Sequence, residues 1–277
     1  MRQIAIYGKG GIGKSLVAAN LAVALVEAGE RVLQVGCSPK GDSTSFLHGG
    51  DLLDKNILEY TRVKGVSRET VRDCILEGYR GVLCAESGGP PPATGCAGRG
   101  VSMALEYLAK YKLIEEMATT FAIYDVLGDI VCGGFAQPMR GGFADQVYIV
   151  TSGELMSLYS ANNICIAIEE MANTKTAKVK VGGFINNMRG VAQEEELVAE
   201  FSEMLHVPVL AHIPRSRIFQ EAEGEGGTVM EKRPQSQEAE VFRALARRLR
   251  EDPGAVVPTP TTIENIIQLL VKYQALN

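Results

Sequence analysis

GKGGIGKS, Gly8 to Ser15, decides the fold of this chain. The stretch fits Gly-x-x-x-x-Gly-Lys-Ser. It follows an apolar run (QIAIYG, Gln3 to Gly8) and opens a run with helical spacing, read as a helix from about Lys14 to a stop at Gly29. Strand, glycine-rich turn and helix in that order make a phosphate cradle. Gly10, Gly11, Ile12 and Gly13 supply backbone N–H groups that close around phosphate oxygens, and the helix N-terminus adds partial positive charge. Lys14 is placed to neutralise the outer phosphates, and Ser15 to offer its hydroxyl to a magnesium ion.

Outward from this motif, short apolar runs alternate with amphipathic stretches along the whole chain. Further strands are predicted at Arg31–Cys37, Gly81–Glu86, Phe121–Leu127, Val147–Ser152, Val181–Asn187 and Val207–Pro214. Being continuously apolar, they read as strands buried on both faces. GVSMALEYLAKY, GELMSLYSANNICIAIEEMA, EEELVAEFSEML and TTIENIIQLLVKY carry the 3.6-residue period between and after them, the last with a Thr-x-x-Glu cap signal at Thr261 or Thr262. The expectation is an α/β P-loop NTPase with a mostly parallel central sheet flanked by helices, in a single domain over residues 1–277. GGPPPATG is expected to be a surface loop within it.

Composition narrows the function. With 46% apolar residues, 22% charged residues and a net charge of −5, the chain reads as a soluble globular protein without the basic stripe that nucleic-acid binding requires. No run approaches the roughly 18 apolar residues of a membrane span, and no basic-then-apolar leader opens the sequence. A cytoplasmic location, with proteins and small molecules as partners, is therefore expected.

Two acidic residues complete the predicted phosphate site. In FAIYDVLGD, Asp125 ends a strand and suits the magnesium shell, while Asp129 is placed to sense the terminal phosphate. Lys40 and Asp42 of GCSPKGDST are further candidates. Lys9, at the second position of the loop, resembles the second lysine of the deviant Walker A subgroup of P-loop ATPases. That resemblance implies a nucleotide-sandwich homodimer in which Lys9 reaches the phosphates of the other subunit.

The six cysteines show no Cys-x-x-Cys spacing. Cys74 and Cys165 fall on predicted helices and read as core thiols, and His48, His206 and His212 show no ligand spacing. Cys96 (ATGCAGRG) and Cys132 (DIVCGGFA) instead lie among glycines, where something approaches the backbone closely. Two ligands are half of what an iron-sulfur cluster needs, and a two-fold dimer doubles each, so both chains together can hold one 4Fe-4S cluster on the axis. Asp129 and Cys132 share one short segment, which links the terminal phosphate mechanically to the cluster.

Taken together, IAIYGKGGIGKS, VGC-PK-DST, ESGGP, GCAGRG, YDVLGDIVCGGFA-P, SGELM-LY-ANNI and the closing VPTP region resemble the nitrogenase iron protein family over essentially the whole chain. The resemblance implies a homodimeric, MgATP-dependent one-electron donor that docks its cluster face on a larger nitrogenase-like catalytic protein, with ferredoxin or flavodoxin as its own donor. It also implies that Lys9, Lys14, Ser15, Asp125 and Asp129 handle magnesium and phosphates, with Lys40 and Asp42 in the first switch. Asn187 of FINNMRG then reads the base, and Pro214, Arg215, Gln220 and Glu223 flank the nucleoside. Arg99 matches an arginine that some members use as a reversible ADP-ribosylation target. The chain departs from the family at Ser38, where an aspartate is usual, in GPPPATGC, in the residues after Ser15 and in IPRSR. These departures lie at switch and docking surfaces, so a partner other than the dinitrogen-reducing protein is favoured; relatives of that kind serve tetrapyrrole or methylthio-alkane reduction.

A partition or septum-positioning ATPase of the same subgroup is the competing class. It calls for a basic surface or a lysine- and arginine-rich terminal helix, whereas TTIENIIQLLVKYQALN holds one lysine and one glutamate.

Overall fold

Strand β1 (Arg2–Tyr7) runs into the glycine-rich loop and helix α1 (Lys14–Glu27) leaves it, as the opening motif requires. The computed structural model describes residues 1–89, 97–128, 136–251 and 254–275. Among them, β1 is joined in one sheet by β2 (Val32–Cys37), β3 (Leu76–Glu77), β4 (Leu83–Glu86), β5 (Phe121–Val126), β6 (Gln146–Thr151), β7 (Lys180–Asn187) and β8 (Val209–Ile213). The order is β3-β4-β2-β5-β1-β6-β7-β8, and every pairing is parallel except the short β3 against β4.

Two apolar layers cover this sheet. Ile4 and Ile6 point to the layer holding α1, while Ala5 and Tyr7, one pleat away, point to the opposite layer, and all four are fully buried. Helix α1 packs there beside helix Gln237–Glu251. Helices Leu155–Asn173, Glu194–Leu205 and Ile263–Lys272 cover the other face, where Phe184 and Phe201 meet with ring centroids 5.5 Å apart. Helix α1 stops as expected: Gly29 takes φ +92°, a left-handed conformation that a side chain resists, and its N–H bonds to the Val26 carbonyl. The last helix is capped by Thr262, whose hydroxyl accepts from the Asn265 N–H.

The structure corrects several boundaries. The strand expected over Gly81–Glu86 begins at Leu83, because Tyr79–Gly81 form a tight 3-10 turn with Gly81 at φ +80°. The strand expected over Val207–Pro214 is confined to Val209–Ile213. Cys74 lies in the turn after helix Arg68–Arg72, not on a helix, although it is buried as expected. Gly88 and Gly89, which open the expected surface loop, are buried; a Cβ on Gly89 would lie 2.4 Å from Pro39 Cβ. The rest of that loop, residues 90–96, lies outside the described residues.

The parallel arrangement points the C-terminal ends of β1, β2, β5, β7 and β8 to one edge. In an open α/β sheet this is where ligands bind.

Candidate functional site

At that edge the loops enclose a cavity of about 470 Å³. Of the residues expected to bind nucleotide, Gly10, Gly11, Gly13, Lys14, Ser15, Lys40, Asp42, Asp125, Asn187, Pro214, Arg215, Gln220 and Glu223 all line it. Lys9 and Ile12 do not; with Glu154, they line a second cavity on the other side of the glycine-rich loop. Arg189 and Arg215 border both. Asp129 lies outside the described residues, as do Cys96 and Cys132. Arg99 is exposed on helix Ala97–Lys110, away from the cavity.

The floor is polar and buried. Asp125, at 4% exposure, accepts at its Oδ2 from Ser15 Oγ (2.5 Å) and from Ser43 Oγ (2.6 Å). Burial raises its pKa, against the opposing effects of those hydroxyls and of Lys14. Its Oδ1 has no hydrogen-bond partner among the described residues, so a cation beside Ser15 and Asp125 would offset both the burial and the unmet oxygen. Lys14 Nζ bonds to the carbonyls of Gly8 and Lys9, both at 3.1 Å. The donor set, with the glycine backbone around it, fits a magnesium-bound triphosphate.

One strand over, Glu86 is fully buried at the end of β4, and its Oε1 accepts from Thr44 N–H and Thr44 Oγ, both at 2.7 Å. Gly36 of β2 pairs with Glu86 on one side and Asp125 on the other. A Cβ at Gly36 would lie 1.8 Å from Glu86 Oε2, so only glycine admits the carboxyl there. Burial pushes the Glu86 pKa up to about 8, with the Asp125 and Asp42 charges adding to it. Ser43 and Glu86 fall within the DST and ESGGP motifs, but nothing in the sequence assigns either a role of its own. Each becomes visible only through the register that brings β2, β4 and β5 side by side.

The far wall is built from β7 and β8. Asn187 Nδ2 donates to the Ile12 carbonyl at 2.6 Å and Arg189 Nη2 to the Gly11 carbonyl at 2.7 Å, which fasten this wall to the glycine-rich loop. With its amide nitrogen engaged, Asn187 retains its carbonyl oxygen as an acceptor, the group an exocyclic amine would seek. Helix Arg217–Gly224, capped by Ser216, brings Gln220 and Glu223 to the cavity one turn apart. Burial raises the Glu223 pKa.

Ser38, at 7% exposure, lines the cavity, and its hydroxyl accepts from the Lys40 N–H at 3.2 Å. It supplies a short neutral oxygen at a position where a carboxylate would reach further.

The other cysteines bear on cluster binding. Cys37, Cys74, Cys84 and Cys165 are all buried. Burial pushes the Cys74 thiol up to about 11 and raises the other three as well, so all four stay protonated near neutrality, when a cluster requires thiolates. Cys96 and Cys132, the two cysteines expected to hold a cluster, lie outside the described residues. Among the described residues, no helix is long and apolar enough to cross a membrane.

Residues 2–276 match the family described as 4Fe-4S iron sulfur cluster binding proteins, NifH/frxC family. Among curated relatives, the nitrogenase iron protein of Methanospirillum hungatei is 45% identical over 273 residues, covering 99% of this chain and 96% of the relative. Nitrogenase iron protein 2 of Methanothermococcus thermolithotrophicus is 43% identical, covering 96% of this chain and 93% of the relative. Among solved structures, the cell division ATPase MinD of Pyrococcus furiosus superposes with a TM-score of 0.67 at 23% identity, covering 90% of this chain and 98% of that one. A ParA family ATPase from Chlorobium tepidum gives 0.66 at 21% identity, covering 90% and 98%. At those identities the likeness is one of fold.

Proposed function

The chain belongs to the NifH/frxC family of 4Fe-4S cluster-binding proteins, and from that premise we propose that it is the ATP-driven electron donor of a nitrogenase-like system. The family brings a 4Fe-4S cluster, MgATP, a dimer and a larger catalytic partner. When bound, the cluster supplies a one-electron couple. Cys96 and Cys132 of each subunit hold it, on the reading that the four buried cysteines are structural. Gly10, Gly11 and Gly13 donate to the phosphates and Lys14 neutralises them, while the Ile12 N–H stays with the Lys9 carbonyl. Ser15 and Asp125 hold magnesium, directly or through water. Lys9 serves the other subunit's nucleotide, and Asn187, Pro214, Arg215, Gln220 and Glu223 hold the nucleoside. The observation that carries the reading is the single cavity that gathers the glycine-rich loop, Asp125 and the β7–β8 wall in a chain matched by this family from residue 2 to residue 276.

Asp125 and Ser43 explain how the nucleotide is sensed. Ser43 lies in the loop with Lys40 and Asp42 and donates to the same Asp125 oxygen as Ser15. Ser15 and Asp125 would hold the cation of a metal-nucleotide complex, and Ser43, which shares the Asp125 oxygen with Ser15, would then couple its loop to the bound complex. Asp129, four residues beyond Asp125, carries the terminal-phosphate signal towards Cys132.

Within the family, the departures at Ser38 and in GPPPATGC support a partner other than the dinitrogen-reducing protein; ferredoxin or flavodoxin as donor follows from the family resemblance, and the length and patterning support a single domain over residues 1–277. A positioning ATPase shares the fold, but identities of 43–45% to nitrogenase iron proteins over nearly the whole chain favour electron transfer. The test is an anaerobic pull-down from the native cells with the dimer locked by ADP and aluminium fluoride. Recovery of a large cofactor-bearing heteromer supports the proposal, and its cofactor identifies the reaction. An intact cluster with no captured heteromer contradicts it.

A further inference from the structure

Helix Glu194–Leu205 begins with three consecutive glutamates, of which Glu195 and Glu196 are exposed while Glu194 is 2% exposed. Its carboxylate turns back over the loop that follows β7. Oε1 accepts from the N–H groups of Gly153 (2.9 Å) and Arg189 (3.0 Å). Oε2 accepts from those of Arg189 (2.9 Å), Gly190 (2.8 Å) and Val191 (3.0 Å). Few side chains satisfy so much backbone: this loop has no ladder or helix of its own, and one carboxylate takes up the buried Gly153 N–H together with the part-buried N–H groups of Arg189, Gly190 and Val191. Gly153 is built for the contact, since a Cβ there would lie 2.9 Å from Glu194 Cγ.

We infer that Glu194 is a positioning residue for nucleotide recognition, its carboxylate setting the base-side loop in register with the phosphate loop. The loop it organises is the one fastened to the phosphate cradle through Asn187 to Ile12 and Arg189 to Gly11. Arg215 completes the arrangement by donating to the Arg189 carbonyl at 2.7 Å. Glu194 does not line the cavity but bonds to the backbone of Arg189, which does, so it acts through Asn187, Arg189 and Arg215. The phosphate cradle keeps bonds of its own, from Ile12 N–H to the Lys9 carbonyl and from Val17 N–H to the Gly13 carbonyl. Loss of Glu194 therefore falls on the nucleoside side more than on the phosphates. Glutamine is no substitute, because its NH₂ group would face N–H donors where the carboxylate accepts.

The inference rests on the nucleotide-binding reading above, and one experiment separates the two. The cluster-loaded dimer, wild type and with Glu194→Gln or Glu194→Ala, is titrated calorimetrically with MgATP and with magnesium tripolyphosphate, which lacks the nucleoside. Both variants should bind MgATP about tenfold more weakly while tripolyphosphate binding changes by less than about threefold. Equal losses for both ligands, or unchanged MgATP affinity in a folded variant, overturn the inference. Failure of the wild type to bind MgATP overturns the nucleotide reading itself. Should neither Glu194 variant fold, Gly153→Ala displaces the same carboxylate from the other side. It must then also weaken MgATP more than tripolyphosphate, and an unchanged ratio refutes the positioning role.

Discussion

Replacing Gly36 by alanine places a methyl group 1.8 Å from Glu86 Oε2, 2.5 Å from its Cδ and 2.8 Å from Oε1. No rotamer change at residue 36 relieves this, because a methyl group has none, so the Glu86 carboxyl must leave its place at the end of β4. Overpacking of this kind costs about 1–3 kcal/mol. Displacing the carboxyl also releases the two 2.7 Å bonds from Thr44, each worth about 1 kcal/mol net. Alanine restricts the unfolded chain more than glycine and returns about 0.5 kcal/mol. The sum is a destabilisation of about 3 kcal/mol, or roughly 6–10 °C in melting midpoint for a chain of this size. The assay is a thermal melt of the anaerobic dimer in four versions: wild type, Gly36→Ala, Glu86→Ala and the double variant. With Glu86 truncated the methyl group has nothing to strike, so Gly36→Ala should cost less than about 1 kcal/mol in that background. An equal cost in both backgrounds would refute the reasoning, since it would mean that the clash is not with Glu86.

Other outcomes follow from the same geometry. Cys96→Ser or Cys132→Ser should abolish the cluster while leaving MgATP binding largely intact, whereas Cys165→Ser should retain it; iron and sulfide analysis decides. Lys14→Gln should keep full iron content yet lose ATP-coupled electron transfer, because the lysine faces the phosphate cavity and is no cluster donor. Glu86 has a folded pKa of about 8, above its ordinary value of 4.5, so the folded chain holds a proton that the unfolded chain releases. Its contribution therefore favours the fold at low pH, declines between about pH 4.5 and 8 and is flat above. Glu86→Gln should remove that decline, and melts of both proteins across this range test it.

How much of this was legible in the sequence depends on the range of the forces involved. Gly8–Ser15 announces itself because a phosphate cradle needs its glycines, lysine and serine in consecutive order, and the strands around it are apolar enough to read as buried. Asp125 was reachable from its place late in a predicted strand, Asn187 and Gln220 only through the family resemblance, and the structure brings all three to one cavity. Glu86 and Ser43 were not, because what makes them matter is a cross-strand register with Gly36 and Asp125 that no local pattern encodes. Glu194 was hidden differently. In a row of three glutamates, only the helical phase selects which one folds back, and the αL conformation of Gln193 just before it sets that phase. Arg189 carried a faint signal, lying two residues past Asn187 in NNMRG. Helix Gln237–Glu251 went unread because its many arginines and glutamates mask the Ala239, Phe242, Leu245, Ala246 and Leu249 stripe that packs against α1.

The most direct test of the account is a rapid-mixing experiment on the reduced, cluster-loaded dimer and its captured catalytic partner, following the reduced-cluster paramagnetic resonance signal. The account predicts that the signal decays on mixing with MgATP and persists with MgADP, and that Lys14→Gln abolishes the decay. Decay at the same rate without nucleotide, or a signal unchanged by MgATP in an intact complex, would contradict it.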